Sequence, residues 1–393
     1  MKKRVIFLAM VLLVSLLCVG AAAAATAPAM YVQPAEDDPD TLSERAVRLY
    51  KKNSKQYYLF LPAGMDAGNL RFVLDGTDQL KIDSAKVKNG EVASFLGRLV
   101  GSTVSLEYND RSCTLTIMQS ANIPALFLTT ESGSLSYVED TKGNKEAGTL
   151  ATLSAEGSID YSGRLAHIKL HGNGTLEYSK KAYEIKLEDK AKLYGMGKGR
   201  SWILLANAKD NSLMRNKLAF DLSREVGMQY AVQSTFVDLY INHVYRGNYL
   251  LAEKVTVGSK RVDITDLQKA TEALNDQPLN SYKSYGIHSY KKNTVKGFQI
   301  PNDPEDITGG YLMQFELTYR YIRADSGFVT KRGQPVVLKS PKYASEAQVN
   351  YISKVMQQLE DALFTKDGKN TGTGKYYYEY VDKDSLVMMC LLE

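Results

Sequence analysis

Two clusters in this chain of 393 residues combine types and spacings suited to holding an anion. The first is His171-Gly172-Asn173-Gly174-Thr175, followed by Lys180, Lys181 and Lys186. Glycines let backbone N–H groups approach an oxyanion closely, and lysines supply charge. The same residues also fit a tight hairpin turn that binds nothing. The second runs from Trp202 to Asn216 as strand, turn and helix. Asp210, Asn211 and Ser212 each suit an N-cap, which places Arg215 and Asn216 in the first helical turn, where free N–H groups point outward. A helix start, an arginine and a nearby lysine together make a phosphate site. Alternatively, Asp210 or Ser212 only caps the helix and Arg215 pairs with a surface carboxylate. Glu253 closes an apolar strand at a position where the pattern calls for an apolar residue. It either orients a lysine or lies in water. His167, His171, His243 and His288 are scattered, without the ligand spacing of a metal site.

The elements that must position these residues are legible from periodicity. Tyr183, Ile185 and Leu187 face one way on a strand, and Glu184 and Lys186 the other. Residues 202–206 are unbroken apolar sequence, a strand covered on both faces. A helix follows, with Leu218, Leu222 and Val226 on one face and Gly227 as its stop. Residues 236–241 and 244–253 flank Asn242-His243 as a hairpin. Residues 273–305 are polar and aperiodic and read as a long loop. Strands at 311–317 and 335–338 precede an amphipathic helix carrying Val349, Ile352, Met356, Leu359 and Leu363.

Upstream, the period is two. Leu70, Phe72 and Leu74 alternate; Val104, Leu106 and Tyr108 run into a turn at 109–112, and Cys113, Leu115 and Ile117 return. Residues 43–120 therefore read as a small all-β, sandwich-like module, and Cys113 as one of its core residues. Residues 26–42 read as a solvated linker with an acidic knot. Residues 1–25 read as a signal peptide: a basic start at Lys2, Lys3 and Arg4, an apolar run at 5–19, and small residues up to a cleavage point near Ala25. The mature chain is expected to be secreted, with no membrane span. Cys113 and Cys390 are left after cleavage, too few for a disulfide framework. Lys+Arg is 49 and Asp+Glu is 44. Loss of three basic residues with the leader leaves a near-neutral protein, which gives no support to charge-driven nucleic-acid binding.

Several segments, in order, resemble the CotH kinase family, named for spore coat protein H. They are His171-Gly172-Asn173-Gly174-Thr175, Lys180-Lys181-Ala182-Tyr183, Leu193-Tyr194-Gly195-Met196-Gly197 and Trp202 through Asn207. Asp210 through Leu218, Tyr245-Arg246-Gly247 through Glu253, Gly309-Gly310-Tyr311 and Lys339-Ser340-Pro341 follow. The resemblance covers about residues 125–393. It implies an α+β fold whose domain at 121–393 is an atypical protein-kinase-like one. The implied activity is transfer of the ATP γ-phosphoryl group to Ser of secreted or coat proteins, with Mg (or Mn or Ca) as the divalent metal. Carried over residue by residue, it points to Lys181 and Arg215 for the phosphates and to Glu253 for orienting the lysine. Lys186 is the alternate lysine, and Asn216 and Asn173 complete the set.

Departures from the family pattern qualify this. His171 stands where the family has an arginine, losing a permanent charge and a bidentate fork. The family's Asn-x-Asp-Gly-type and Trp-Asp-x-Asp segments have no counterpart, and Asp361, Asp367, Asp382 and Asp384 do not match them. Asp384-Ser385 starts a helix that continues as seven apolar residues, as a buried helix does. The chain thus reads as the nucleotide-binding portion of a bacterial extracellular kinase, an inactive fragment whose ATP and metal use belongs to the complete domain, with a Ser-rich acceptor protein. The alternative is a non-catalytic cell-surface, adhesion or carbohydrate-binding protein with the same fold.

Overall fold

The computed structural model describes residues 28–286 and 291–392, so the expected signal peptide and His288 lie outside the described residues. The elements in chain order are β1 (Ala29–Pro34), β2 (Val47–Arg48), β3 (Tyr50–Lys51), β4 (Gln56–Leu61), β5 (Leu70–Asp75), β6 (Gln79–Ile82), β7 (Ala85–Lys88), α1 (Leu96–Leu99), β8 (Thr103–Tyr108), β9 (Arg111–Gln119) and β10 (Ala125–Thr130). Then come α2 (Ser136–Asp140), β11 (Glu146–Leu153), β12 (Ser162–His171), β13 (Ala182–Ala191), β14 (Gly199–Leu205), α3 (Arg215–Glu225), β15 (Ser234–Ile241) and β16 (Val244–Glu253). The last are α4 (Leu267–Glu272), β17 (Ser284–Gly286), β18 (Val295–Phe298), β19 (Leu312–Phe315), α5 (Thr318–Tyr321), β20 (Gly327–Val329), β21 (Pro335–Ser340), α6 (Glu346–Leu363) and α7 (Lys383–Leu392). This mixture is α+β. Two compact units emerge: residues 28–134, 148–162 and 237–248 form one, and residues 135–147, 163–236 and 249–392 the other.

In the first unit, β2-β1-β5 form one sheet and β3-β4-β9-β8-β6-β7 another. Tyr57, Leu59 and Leu61 on β4 and Cys113, Leu115 and Ile117 on β9 alternate into one core with Leu70 and Phe72 of β5. A strand buries every second residue, so the alternation in the sequence became one buried face. Residues 28–42, the described part of the expected linker, are not simply solvated chain. They contain β1, where Met30 and Val32 are buried and Val32 pairs with both Val47 and Phe72. Only two apolar residues carry that alternation, and the acidic knot beside them masked it. β10 pairs antiparallel with β11 and parallel with β15. The β15–β16 turn has Asn242 and His243 both at positive φ, 50° and 68°. Right-handed strand twist favours such a turn, and Asn adopts it readily.

In the second unit β12, β13, β14 and β16 pair antiparallel in that order. Tyr183, Ile185 and Leu187 are buried as their spacing predicts, and so are Trp202, Ile203 and Leu204. Residues 273–305 are more ordered than a loop: they supply β17 and β18 to a five-stranded sheet, β17-β18-β20-β21-β19. Phe298 and Ile300 there are buried. Strands of three and four residues are too short for period-two statistics to show. α6 lays Val349 and Ile352 on this sheet beside Phe328 and Leu338. Ser345 and Gln348 close its start as a reciprocal capping box. α3 forms as expected, but its apolar face is not packed into a core. It buries no residue, and Leu218 and Leu222 are exposed. α7 likewise exposes Val387, Met389 and Leu391 instead of burying them. No helix among the described residues is long and apolar enough to cross a membrane.

Candidate functional site

A cleft of about 1020 Å³ opens in the second unit. One wall is built on β12, β13 and the residue after β16. Antiparallel register sets Lys169 directly opposite Glu184, and their charged groups lie 3.3 Å apart. Lys254 reaches the same carboxylate at 2.7 Å. Glu184 is thus a buried carboxylate shared by two lysines. Burial alone would raise its pKa, but the hydrogen bonds and charges of Lys254 and Lys169 outweigh burial and hold it below the ordinary value.

The glycine-rich turn follows β12 at the cleft's edge, where His171, Gly172 and Asn173 line the cavity. Gly172 has φ +94°, and a Cβ there would come within 2.3 Å of the Thr175 hydroxyl oxygen. Only glycine fits that conformation without strain. Lys142 donates to the Asn173 side-chain oxygen. Burial first, then the charges of Arg320, Lys169 and Lys339, lowers the Lys142 pKa. Four cations from both walls therefore act on one region of the cleft.

The opposite wall comes from β19, α5, β21 and the turns beside them. Arg320 pairs with Glu316 at 3.1 Å and Lys342 with Asp325 at 3.2 Å. Asp266 is occupied as the N-cap of α4, accepting from the Lys269 amide at 3.0 Å. In all, seven lysines and arginines face four carboxylates across the cleft. Among the described residues, Lys142, Arg323 and Lys339 form no ion pair. A water-filled cleft with surplus positive charge attracts and holds a polyanion.

Of the six residues expected to bind nucleotide, only Asn173 lines this cleft. The Lys181 ammonium donates 2.5 Å to the Leu176 carbonyl and so closes the short 3-10 turn at Gly174–Glu177. Lys186 lies on β13 opposite His167 and Ser201. Arg215 is 86% exposed; its backbone N–H donates to Asp210 at 2.8 Å. Asn216 donates to Asn207 at 2.8 Å. In the second cluster Asp210 accepts from the first amide of α3 and stands 3.7 Å from the Arg215 side chain, contacts that belong to the reading of Asp210 as a cap. Glu253 pairs with Arg261, which lies 4.6 Å over the Trp202 ring. Burial raises the Glu253 pKa against the pull of Arg261. Because Trp202 sits opposite Glu253 in the β14–β16 register, this trio is a staple across the strand pair. Lys181, Arg215 and Glu253 each engage a different partner, and none of the three lines this cleft.

The residues that do converge carry little local mark in the sequence. Lys169 and Glu184 stand on the polar faces of two predicted strands, and the alternation assigns such faces to solvent. Glu184 is 6% exposed. The one local signal was position: Lys169 lies two residues before the His171-Gly172 turn.

The sequence pattern of a family described as CotH kinase protein matches residues 168–392, more than half of the chain. No curated protein matches.

Proposed function

This chain belongs to the CotH kinase family, and we propose on that premise that its cationic cleft binds ATP and presents the terminal phosphoryl group to a serine hydroxyl of a secreted or surface protein. The observation that carries this reading is the Lys169–Glu184–Lys254 cluster, set in one cleft with Lys142, Arg320 and Lys339. Phosphoryl transfer asks little covalent chemistry of a protein and mainly positioning and charge. The hydroxyl oxygen bonds to the γ-phosphorus, the bond from that phosphorus to the bridging oxygen breaks, and the hydroxyl proton leaves to solvent or base. In this scheme Lys169 holds phosphate oxygens and Glu184 fixes the lysine, as a lysine–glutamate pair does in protein kinases. These two take the roles that the family likeness had given to Lys181 and Glu253. The kinase-like fold, the extracellular setting and the Ser-rich acceptor are part of the same proposal, with the first unit acting as a spacer or binding module.

The divalent metal is a different matter. Among the described residues no group of three His, Cys, Asp or Glu side chains could hold one. Glu184, Glu316 and Asp325 each already face a cation. A divalent ion at a nucleotide site takes one or two carboxylates and otherwise phosphate oxygens and water, so in this proposal the ion would be held mainly by the nucleotide, while lysine and arginine meet the remaining phosphate charge.

Titration of the protein with a fluorescent trinitrophenyl-ATP tests the assignment. Lys169→Met should weaken binding about tenfold or more, whereas Lys181→Met should leave it within about threefold. The reverse order would remove the cleft from consideration, and an unmodified protein that binds no nucleotide would remove the function.

A further inference from the structure

We propose that Lys296 is a positioning residue of the cleft: its buried side chain tethers the turn that carries Arg320, Arg323 and Asp325. The role rests on the reading of that cleft as a nucleotide site. Lys296 lies on β18, behind the wall and outside the cavity, and is 1% exposed. Its ammonium donates to the Tyr321 carbonyl at 2.5 Å and the Ile322 carbonyl at 3.3 Å, and it sits 4.6 Å over the Tyr321 ring. Both carbonyls fall at the C-terminal end of α5, where backbone acceptors lack helical partners. The Tyr321 carbonyl also accepts from the Ala324 amide at 3.0 Å, which closes the turn. The neighbouring strands leave room for the stem. Lys296 is opposite Gly286 on one side and Gly327 on the other, and a Cβ at Gly286 would come within 2.6 Å of the Lys296 Cβ. Burying an ammonium is costly, so a lysine in a core position needs partners that a methionine could not serve.

The tether is linked to protonation. The groups facing Lys296 are Tyr321 from α5 and Asp325 from the turn. Its β20 partner Gly327 carries no charge. Burial pushes the Lys296 pKa from the ordinary 10.5 down to about 8, with the Asp325 charge opposing. Release of the turn that lets water reach the amine would restore its ordinary proton affinity, so the anchored turn binds the proton less tightly than a released, hydrated one. Raising the pH from 7 to 9.5 shifts the balance toward the anchored state, by roughly tenfold to thirtyfold. The neutral amine keeps N–H donors for both carbonyls, so deprotonation removes the burial cost without cutting the tether.

Hydrogen exchange of the 318–326 peptides, corrected for intrinsic rates, reads this directly in the intact protein. Exchange in the wild type should slow more than tenfold between pH 7 and 9.5. Lys296→Met should exchange faster at pH 7.5 and show no such slowing, and should bind trinitrophenyl-ATP about five- to tenfold more weakly, with peptides of β13 unchanged. A flat wild-type profile overturns the proposal whether or not the variant folds. So does a Met variant that keeps the wild-type slope and affinity. If the wild type binds no nucleotide, the cleft reading fails while the exchange profile still decides the tether.

Discussion

Glu184 carries the electrostatic logic of the cleft at the scale of single residues. One carboxylate serves two lysines, so the cluster keeps a net positive charge beside Lys142 and Lys339, which form no ion pair among the described residues. Its pKa is depressed in the folded state, so the stability it contributes is present above about pH 4.5 and is lost as the pH falls below that value. Glu253 works with the opposite sign: its raised pKa costs stability as the pH climbs from 4.5 through the folded value. Glu184→Gln should flatten the acid limb of the stability curve below pH 4.5, measured by urea unfolding at stepped pH. At pH 7 it should cost about 1–2 kcal/mol, toward the low end for a buried pair because Lys169 and Lys254 keep contact with water. An unchanged acid limb would place the cluster in free solvent. Gly172→Ala tests the turn. With φ at +94° and Thr175 in the way, it should cost about 1 kcal/mol and lower nucleotide affinity along with it.

Among elements, α3 and β13 make the instructive contrast. Both carry apolar residues at the spacing their structure requires, yet only the strand buries them. Leu218 is 65% exposed and Ile185 is fully buried. Leu218→Ser should shift stability by no more than about 0.5 kcal/mol, whereas Ile185→Ala should cost about 2–4 kcal/mol through lost burial and a cavity. Chemical denaturation of the two variants side by side decides between this packing and a helix whose apolar face is buried. α6 is held by its cap. Ser345 accepts from the Gln348 amide at 3.1 Å and donates to Asp303 at 2.7 Å. Ser345→Ala should therefore cost about 1 kcal/mol or somewhat more, because Asp303 loses a partner as well.

For the whole molecule, net charge is a poor guide and its distribution a good one. The chain carries +5 in total, but the cleft gathers seven cations against four carboxylates. Nucleotide affinity should drop several-fold between 50 mM and 500 mM salt, since a water-filled cleft is screened at a Debye length of roughly 4–14 Å over that range. Salt-independent binding would mean that apolar or stacking contacts dominate. The sequence by itself determined the local structure: the alternating strands of the first unit, the Asn242-His243 hairpin, the apolar face of β13, the buried run at Trp202 and the helix face of α6. It determined the family likeness too. Each of those depends on residue period or turn chemistry within about ten positions of chain. Which lysine meets which glutamate was decided only in three dimensions. Lys254 and Glu184 are 70 positions apart and meet because β14 lies between β13 and β16 at a fixed register. Lys181 and Glu253 matched motifs, but one faces a carbonyl and the other an arginine over a tryptophan ring. A charged residue on a strand carries no local mark of whether its face looks at water or at another sheet, so partner choice follows from packing.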